Sequence, residues 1–273
     1  MKRITSVILY VAGVGGVMLL IINLWGLFMP LRSPEIGEDY ADFARSGTLT
    51  SGESFRRLQN LAERSSEKEL FLNEATRIFH QGIAHVPRED IEQKGLDYYR
   101  MRIPIWENFI LYALSYVKPD TYRDYEFCSY RKALERGTGR CGQQSLALVD
   151  YLSRNNIETG FISLGGHAIA TAKSDDGTWH MLDPDYGGVV PFDLDAAEKN
   201  PASVIPYYWS PAIVENNMAR LYGSENNGVK YGGPEARFGR ACKIEQAAYL
   251  LKWIAPFTLI AAWGFYMVCT RKR

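Results

Sequence analysis

Two apolar runs at opposite ends limit what this chain can fold into. Ile4 to Met29 carries no charged residue, and Ala247 to Cys269 carries one, Lys252. Each is long enough for the roughly 20 apolar residues that cross a bilayer core. The first is too long for the apolar part of a signal peptide and lacks an A-x-A-like cleavage site, so it reads as an uncleaved anchor. Lys2 and Arg3 precede it; Arg271, Lys272 and Arg273 follow the second run. Positive flanks stay on the cytoplasmic side. The expectation is a two-pass inner-membrane protein of bacterial layout, with both termini cytoplasmic and the main domain periplasmic. Lys252 is expected to snorkel to the outer interface and Pro256 to be tolerated inside the membrane helix. Ala12 and Gly16 offer a small-residue contact for helix association.

The linear division that follows is a cytoplasmic N-terminus 1–3, a membrane helix 4–29, a linker 30–52, a helical part 53–121, a core 122–222, a tether 223–246, a membrane helix 247–269 and a cytoplasmic tail 270–273. Apolar spacing through Phe55, Leu58, Leu61 and then Leu70, Phe71, Ala75, Ile78 and Phe79 predicts one broken or two amphipathic helices. Pro104 is expected to start another. His80 and His85 lie five apart, the wrong spacing for a helical metal pair, and read as structural or surface residues. Formal net charge is zero and there is no dense basic stripe, so nothing favours a nucleic-acid partner. The four cysteines form no C-x-x-C pair; a Cys128–Cys242 disulfide is open to them but not implied.

The chemistry centres on Gly137-Thr138-Gly139-Arg140-Cys141-Gly142-Gln143-Gln144-Ser145. A glycine-rich turn delivers one cysteine to the start of a helix reaching about Arg154, with Leu146, Val149 and Leu152 on a buried stripe. Unpaired amides at a helix start favour the thiolate, the nucleophilic form of cysteine. Strands follow at Gly160–Leu164, His167–Ala172 and Thr178–Asp183, so helix precedes antiparallel sheet in an α+β order. Pairing His167 directly with Asp183 also pairs Ala172 with Thr178, leaves the loop Lys173–Gly177, and puts His167 and Asp183 on one face. A two-residue turn at Asp176-Gly177 would put them on opposite faces. A Cys–His–Asp site therefore requires the longer loop. Residues 225–240 read as loop.

Gly139-Arg140-Cys141, His167-Ala168, Gly177, Trp179 and Leu182-Asp183-Pro184 occur in the order found in the transglutaminase-like superfamily, which this stretch of about a quarter of the chain resembles. These enzymes are circularly rearranged relatives of papain-type cysteine proteases. The resemblance implies a papain-like core with Cys141 as nucleophile, His167 as general base and acid, and Asp183 as the group that orients it. It departs at Asp185, where the family usually has threonine. A second oxyanion donor is expected besides the cysteine amide. Trp106, at a spacing close to that of the family's donor tryptophan, Tyr130 and Gln143 are the candidates, although Trp106 also suits a core.

The reading is a membrane-anchored cysteine hydrolase, a peptidase or amidase with transamidation open to it, acting on a protein or peptide through a Cys141 thioester. No cofactor and no metal are expected. Its alternative is a non-catalytic scaffold that binds peptide or glycan and assists cell-envelope or exopolysaccharide assembly. A metal hydrolase using His180, Asp183 and Asp185 lacks supporting ligand spacing, and no EF-hand loop is present.

Overall fold

In the computed structural model residues 2–34, 36, 48–64, 67–223 and 227–271 are described. They divide into two units that the chain visits more than once. Residues 35 and 37–47 of the expected linker, 224–226 of the expected tether, and Lys272 and Arg273 lie outside the described residues.

The first unit comprises Met1–Leu31, Arg102–Tyr125 and Lys243–Arg273, so it cuts across the linear segments read from the sequence. Its helices Lys2–Gly26 and Arg240–Arg271 have mean hydropathies of 2.4 and 1.4 over their apolar spans, and both are long and apolar enough to cross a membrane. They meet at glycine. A Cβ on Gly13 would lie 2.4 Å from the Trp263 ring, and one on Gly16 would lie 2.9 Å from Leu259 Cβ. The contact runs through Gly16, one of the two small residues expected, and through Gly13. Lys252 also departs from expectation. It is buried and donates to the Glu107 carbonyl at 2.6 Å, because Arg102–Tyr125 supplies acceptors that a buried ammonium needs. Tyr249 donates to the Glu107 carboxylate at 2.6 Å, and Tyr125 to that of Glu245 at 2.7 Å. The helix expected at Pro104 starts at Phe109, because the Asn108 side chain accepts from the amides of Ile110 and Leu111.

The second unit comprises Arg32–Met101 and Glu126–Cys242. Strands β1 (Ala84–His85) and β2 (Thr138–Gly139) form a short parallel pair. Five further strands make an antiparallel sheet: β3 (Thr159–Leu164), β4 (His167–Lys173), β5 (Trp179–Asp183), β6 (Gly188–Val190) and β7 (Gly228–Tyr231), in the order β6-β5-β4-β3-β7. The architecture is mixed α and β, as the sequence pattern expects. β6 and β7 were legible only as turn and loop. They are short, and β7 is largely exposed at the sheet edge, so neither shows apolar alternation.

The cysteine helix Cys141–Arg154 is buried all round from Gly142 to Leu152, not on one stripe. It packs on β4. Ile169 of β4 joins the opposite core with Met181, Tyr208 and Tyr222. The alternate face carries Ala168, Ala170 and Ala172, whose small side chains let the helix approach. Asn155 and Asn156 end the helix, Asn156 in the left-handed region at φ 59°. Cys128 and Cys242 form a disulfide with Cα atoms 5.5 Å apart. Cys141 and Cys269 are free.

Candidate active site

The turn before Cys141 is held from several sides. Gly137, at φ 65°, ends the helix Tyr130–Arg136 in the left-handed region. A Cβ on Gly139 would lie 2.5 Å from Gln143 Cβ, so the chain enters the helix there only as glycine. Arg136 is fully buried; its Nε donates to the Thr138 carbonyl at 2.9 Å, and its Nη2 donates to Gln143 Oε1. Gln143 also accepts from the Phe127 amide at 2.7 Å and donates to the Phe127 carbonyl at 3.0 Å. Gln144 donates to the Ile83 carbonyl at 2.7 Å and Ser145 to that of Ala168 at 2.9 Å. Three consecutive polar residues near the helix start thus tie it to three separate segments. Each buried bond leaves an unpaired group worth about 1–3 kcal/mol if one partner is removed.

β4 and β5 pair Thr171 with Met181, Ala172 with His180 and Lys173 with Trp179. This register is two residues from the one expected. A shift of two preserves the face, so His167 and Asp183 still point the same way, now on a diagonal. The loop closes with Ser174 N–H bonded to the Thr178 carbonyl at 2.8 Å and Gly177 at φ 86°. His167 Nε2 lies 2.9 Å from Asp183 Oδ2, and the two side chains are only 3% and 2% exposed. Asp183 accepts further bonds from Tyr208 Oη at 3.1 Å and from the amides of Asp185 and Tyr186 at 3.0 and 3.1 Å. With the carboxylate as acceptor, Nε2 carries the proton and Nδ1 is left to face Cys141. Burial and then the Asp183 charge hold the Tyr208 hydroxyl well above its usual pKa. Tyr208 therefore stays a donor, and Tyr222 donates to it at 2.7 Å. The Tyr186 ring stacks on the imidazole with centroids 4.7 Å apart.

The register shift has a second effect. It leaves Asp185, in the turn just beyond β5, beside His167, with Oδ2 3.7 Å from His167 Nδ1. Asp185 Oδ1 accepts from His85 Nδ1 at 2.6 Å. His85 arrives through the β1–β2 pair, whose register sets it against Gly139, two residues before Cys141. His80 holds the following turn, its Nδ1 2.9 Å from the Pro184 carbonyl. Read from sequence as structural or surface residues, these histidines flank the site; the only signal was that Ala84-His85-Val86 suits a strand.

Charges follow the contacts. Burial opposes charging of His167, but the charge and hydrogen bond of Asp183, the hydrogen bond to Cys141 and the charge of Asp185 outweigh it, and its pKa is raised well above the usual value. Burial also opposes charging of His85, and Asp185 outweighs it, giving a raised pKa. Burial pushes Asp185 up, but His85 first and His167 next pull it below the usual carboxylate range. An unfolded histidine titrates near 6.5. The two histidines therefore stabilise the fold in full below about that pH, and lose the contribution as pH rises through their raised folded values. Asp185 contributes above about pH 3.9 and loses it as pH falls through its lowered value. The melting temperature is expected to fall between pH 6 and 9, and less so in His85→Gln. An equal fall in both proteins would contradict the His85–Asp185 pair.

Cys141 and His167 open on a cavity of about 640 Å³, also lined by Glu126, Arg140, Gly142, Ser163, Leu164, Gly165, Gly166, Ala168 and Arg237. The glutamate side chain occupies space that a Cβ on Gly142 would fill. Of the proposed oxyanion side chains, Gln143 has its amide committed to other partners in the clasp described above. Tyr130 packs its ring on Tyr151 and Phe79 and its amide on Asp150. Trp106 is buried in the first unit. His180, one strand position out of phase with Asp183, points to the opposite face, which removes the His180–Asp183–Asp185 metal set. The structure instead gathers Cys141, His167 and Asp185, whose ligand-capable atoms all lie within 4.8 Å of one another. No family model and no curated protein matches the chain.

Proposed function

We propose that this protein is a membrane-anchored, transglutaminase-like cysteine hydrolase that cleaves amide bonds on the extracytoplasmic side. The observation that carries the reading is the chain of contacts from Asp183 through His167 Nε2, leaving Nδ1 for a free cysteine at a helix start beside a cavity. In the reaction Nδ1 takes the thiol proton, and the Cys141 sulfur attacks the carbonyl carbon of the amide. The tetrahedral oxyanion meets the first-turn amides of Cys141 and Gly142, which have no partner within their own helix. The C–N bond breaks as Nδ1–H protonates the leaving amine, and a thioester remains. Water, deprotonated by Nδ1, attacks the thioester; the carboxylic product leaves and the thiol re-forms. An amine in place of water would give transamidation. Placement outside the cytoplasm draws on the positive flanks of both apolar helices and on a disulfide of the kind that persists in oxidising compartments.

The test is acyl-enzyme trapping. Purified protein is mixed with a p-nitrophenyl ester, quenched in acid and mapped by mass spectrometry. A single acyl group on Cys141, absent in Cys141→Ala, is expected. An unacylated Cys141 at saturating ester would remove the hydrolase reading.

A further inference from the structure

We propose that Cys141, His167 and Asp185 also form a binding site for a thiophilic divalent cation, zinc by the donor set, and that the bound ion blocks the thiol. The blocking rests on the hydrolase reading above; the cation site does not.

Asp185 is the member of the group that the acyl-transfer reaction does not use. A carboxylate 3.7 Å from His167 Nδ1 lies on the side where the thiol proton must arrive. For nucleophilic catalysis that placement brings a competitor for the imidazole. For a metal it supplies the third ligand. Sulfur, imidazole nitrogen and carboxylate oxygen come from the helix start, the head of β4 and the turn after β5, all within 4.8 Å of one another. Zinc bonds of about 2.0–2.3 Å in a tetrahedron set ligand atoms roughly 3.3–3.8 Å apart. The nitrogen–oxygen edge already has that length, and rotation of the half-buried Cys141 side chain closes the others.

The outer contacts fit as well. A metal-binding imidazole characteristically gives its other N–H to a carboxylate, and a metal-binding carboxylate is itself hydrogen-bonded. His167 Nε2 has Asp183 at 2.9 Å, and Asp185 Oδ1 has His85 at 2.6 Å, which leaves Oδ2 turned toward the site. The fourth position faces the 640 Å³ cavity, the open-site arrangement of three protein ligands and a water. Arg140 and Arg237 line the same cavity together with Glu126, so its charge is mixed and the site is not a general acidic trap. Its selectivity comes from the sulfur and nitrogen donors, which favour zinc over magnesium or calcium. Zinc would occupy the sulfur and the Nδ1 lone pair together. Metal binding and acyl transfer exclude each other, and zinc supply outside the cytoplasm would set the active fraction.

Tag-free full-length protein in detergent is titrated with Zn²⁺ against a chromophoric chelator. One ion per chain is expected, weakened at least roughly 10- to 100-fold by Cys141→Ser and by Asp185→Asn, and little changed in Cys269→Ser. Zinc should protect Cys141 from iodoacetamide, and EDTA should restore labelling. No binding, binding unaffected by both substitutions, or Cys141 labelling unchanged by bound zinc overturns the proposal. Both substitutions are near-isosteric, and circular dichroism confirms folding. The titration reads no catalysis. Zinc binding with protected thiol but no acyl-enzyme after EDTA would leave the cation site standing and remove the hydrolase reading; acyl-enzyme formation indifferent to bound zinc would leave the hydrolase reading standing and overturn the blocking.

Discussion

Alanine at His167 is expected to slow acylation of Cys141 by about 10²–10⁴-fold, the range of a positioned general base. In the reaction proposed above, the substitution removes both the acceptor for the thiol proton and the donor to the leaving amine. Alkylation separates these from a folding defect. A free thiol, with a pKa of about 8.5, is almost wholly protonated at pH 6. An imidazole placed to take the thiol proton, as the proposed reaction requires, supplies the base that a free thiol lacks there. Iodoacetamide should therefore label Cys141 roughly tenfold faster in the wild type at pH 6. At pH 9 the difference should close, because a free thiol above its pKa of about 8.5 no longer needs a base. Cys269 is free and exposed, and its labelling calibrates each sample. A wild type with the same alkylation profile as the mutant would show that His167 and Cys141 do not act as a pair.

Removing the Cys128–Cys242 disulfide is expected to cost roughly 4–5 kcal/mol by the chain-entropy relation, since the two cysteines are 114 residues apart. The loop encloses the cysteine helix and β2 to β7, so the whole sheet unfolds inside or outside this constraint. Total stabilities of 5–15 kcal/mol make that a large share. With a urea slope of about 1–3 kcal/mol/M, the midpoint should fall by roughly 2 M when Cys128 and Cys242 are both replaced by serine. A reductant should produce the same change in the wild type and none in the double variant. An unchanged midpoint would mean that the loop is closed just as well by packing.

Several parts of this architecture were open to reading along the chain. Apolar runs announce the two long helices because bilayer-length hydrophobicity is a local property. The cysteine helix, β3, β4 and β5 lie within a residue or so of the expected bounds, because glycine and asparagine punctuate them. The face shared by His167 and Asp183 follows from parity, and parity survived a register error of two residues. Gln143 was harder. As a polar side chain next to the cysteine it suggested an oxyanion donor, yet it ties the helix to Phe127 and Arg136. Burial of the helix from Gly142 onward decided that, and burial is not visible in residue type. Lys252 was misread for the same reason: its acceptor lies 145 residues away.

By itself the sequence determined where residue types capable of acyl-transfer chemistry fall and where the chain turns: a cysteine after a glycine-rich turn, a histidine at the head of a strand, an aspartate at the end of the next. Helix starts, strand alternation and apolar spans depend on neighbours in the chain, so they can be read in order. Tertiary structure decided what surrounds those groups. The β1–β2 pair joins segments more than fifty residues apart and brings His85 to Asp185. The β4–β5 register brings Asp185 to His167. Chain closure between distant segments is specified by the packing of the whole core, not by any local pattern, and it places a second carboxylate and a second histidine beside Cys141.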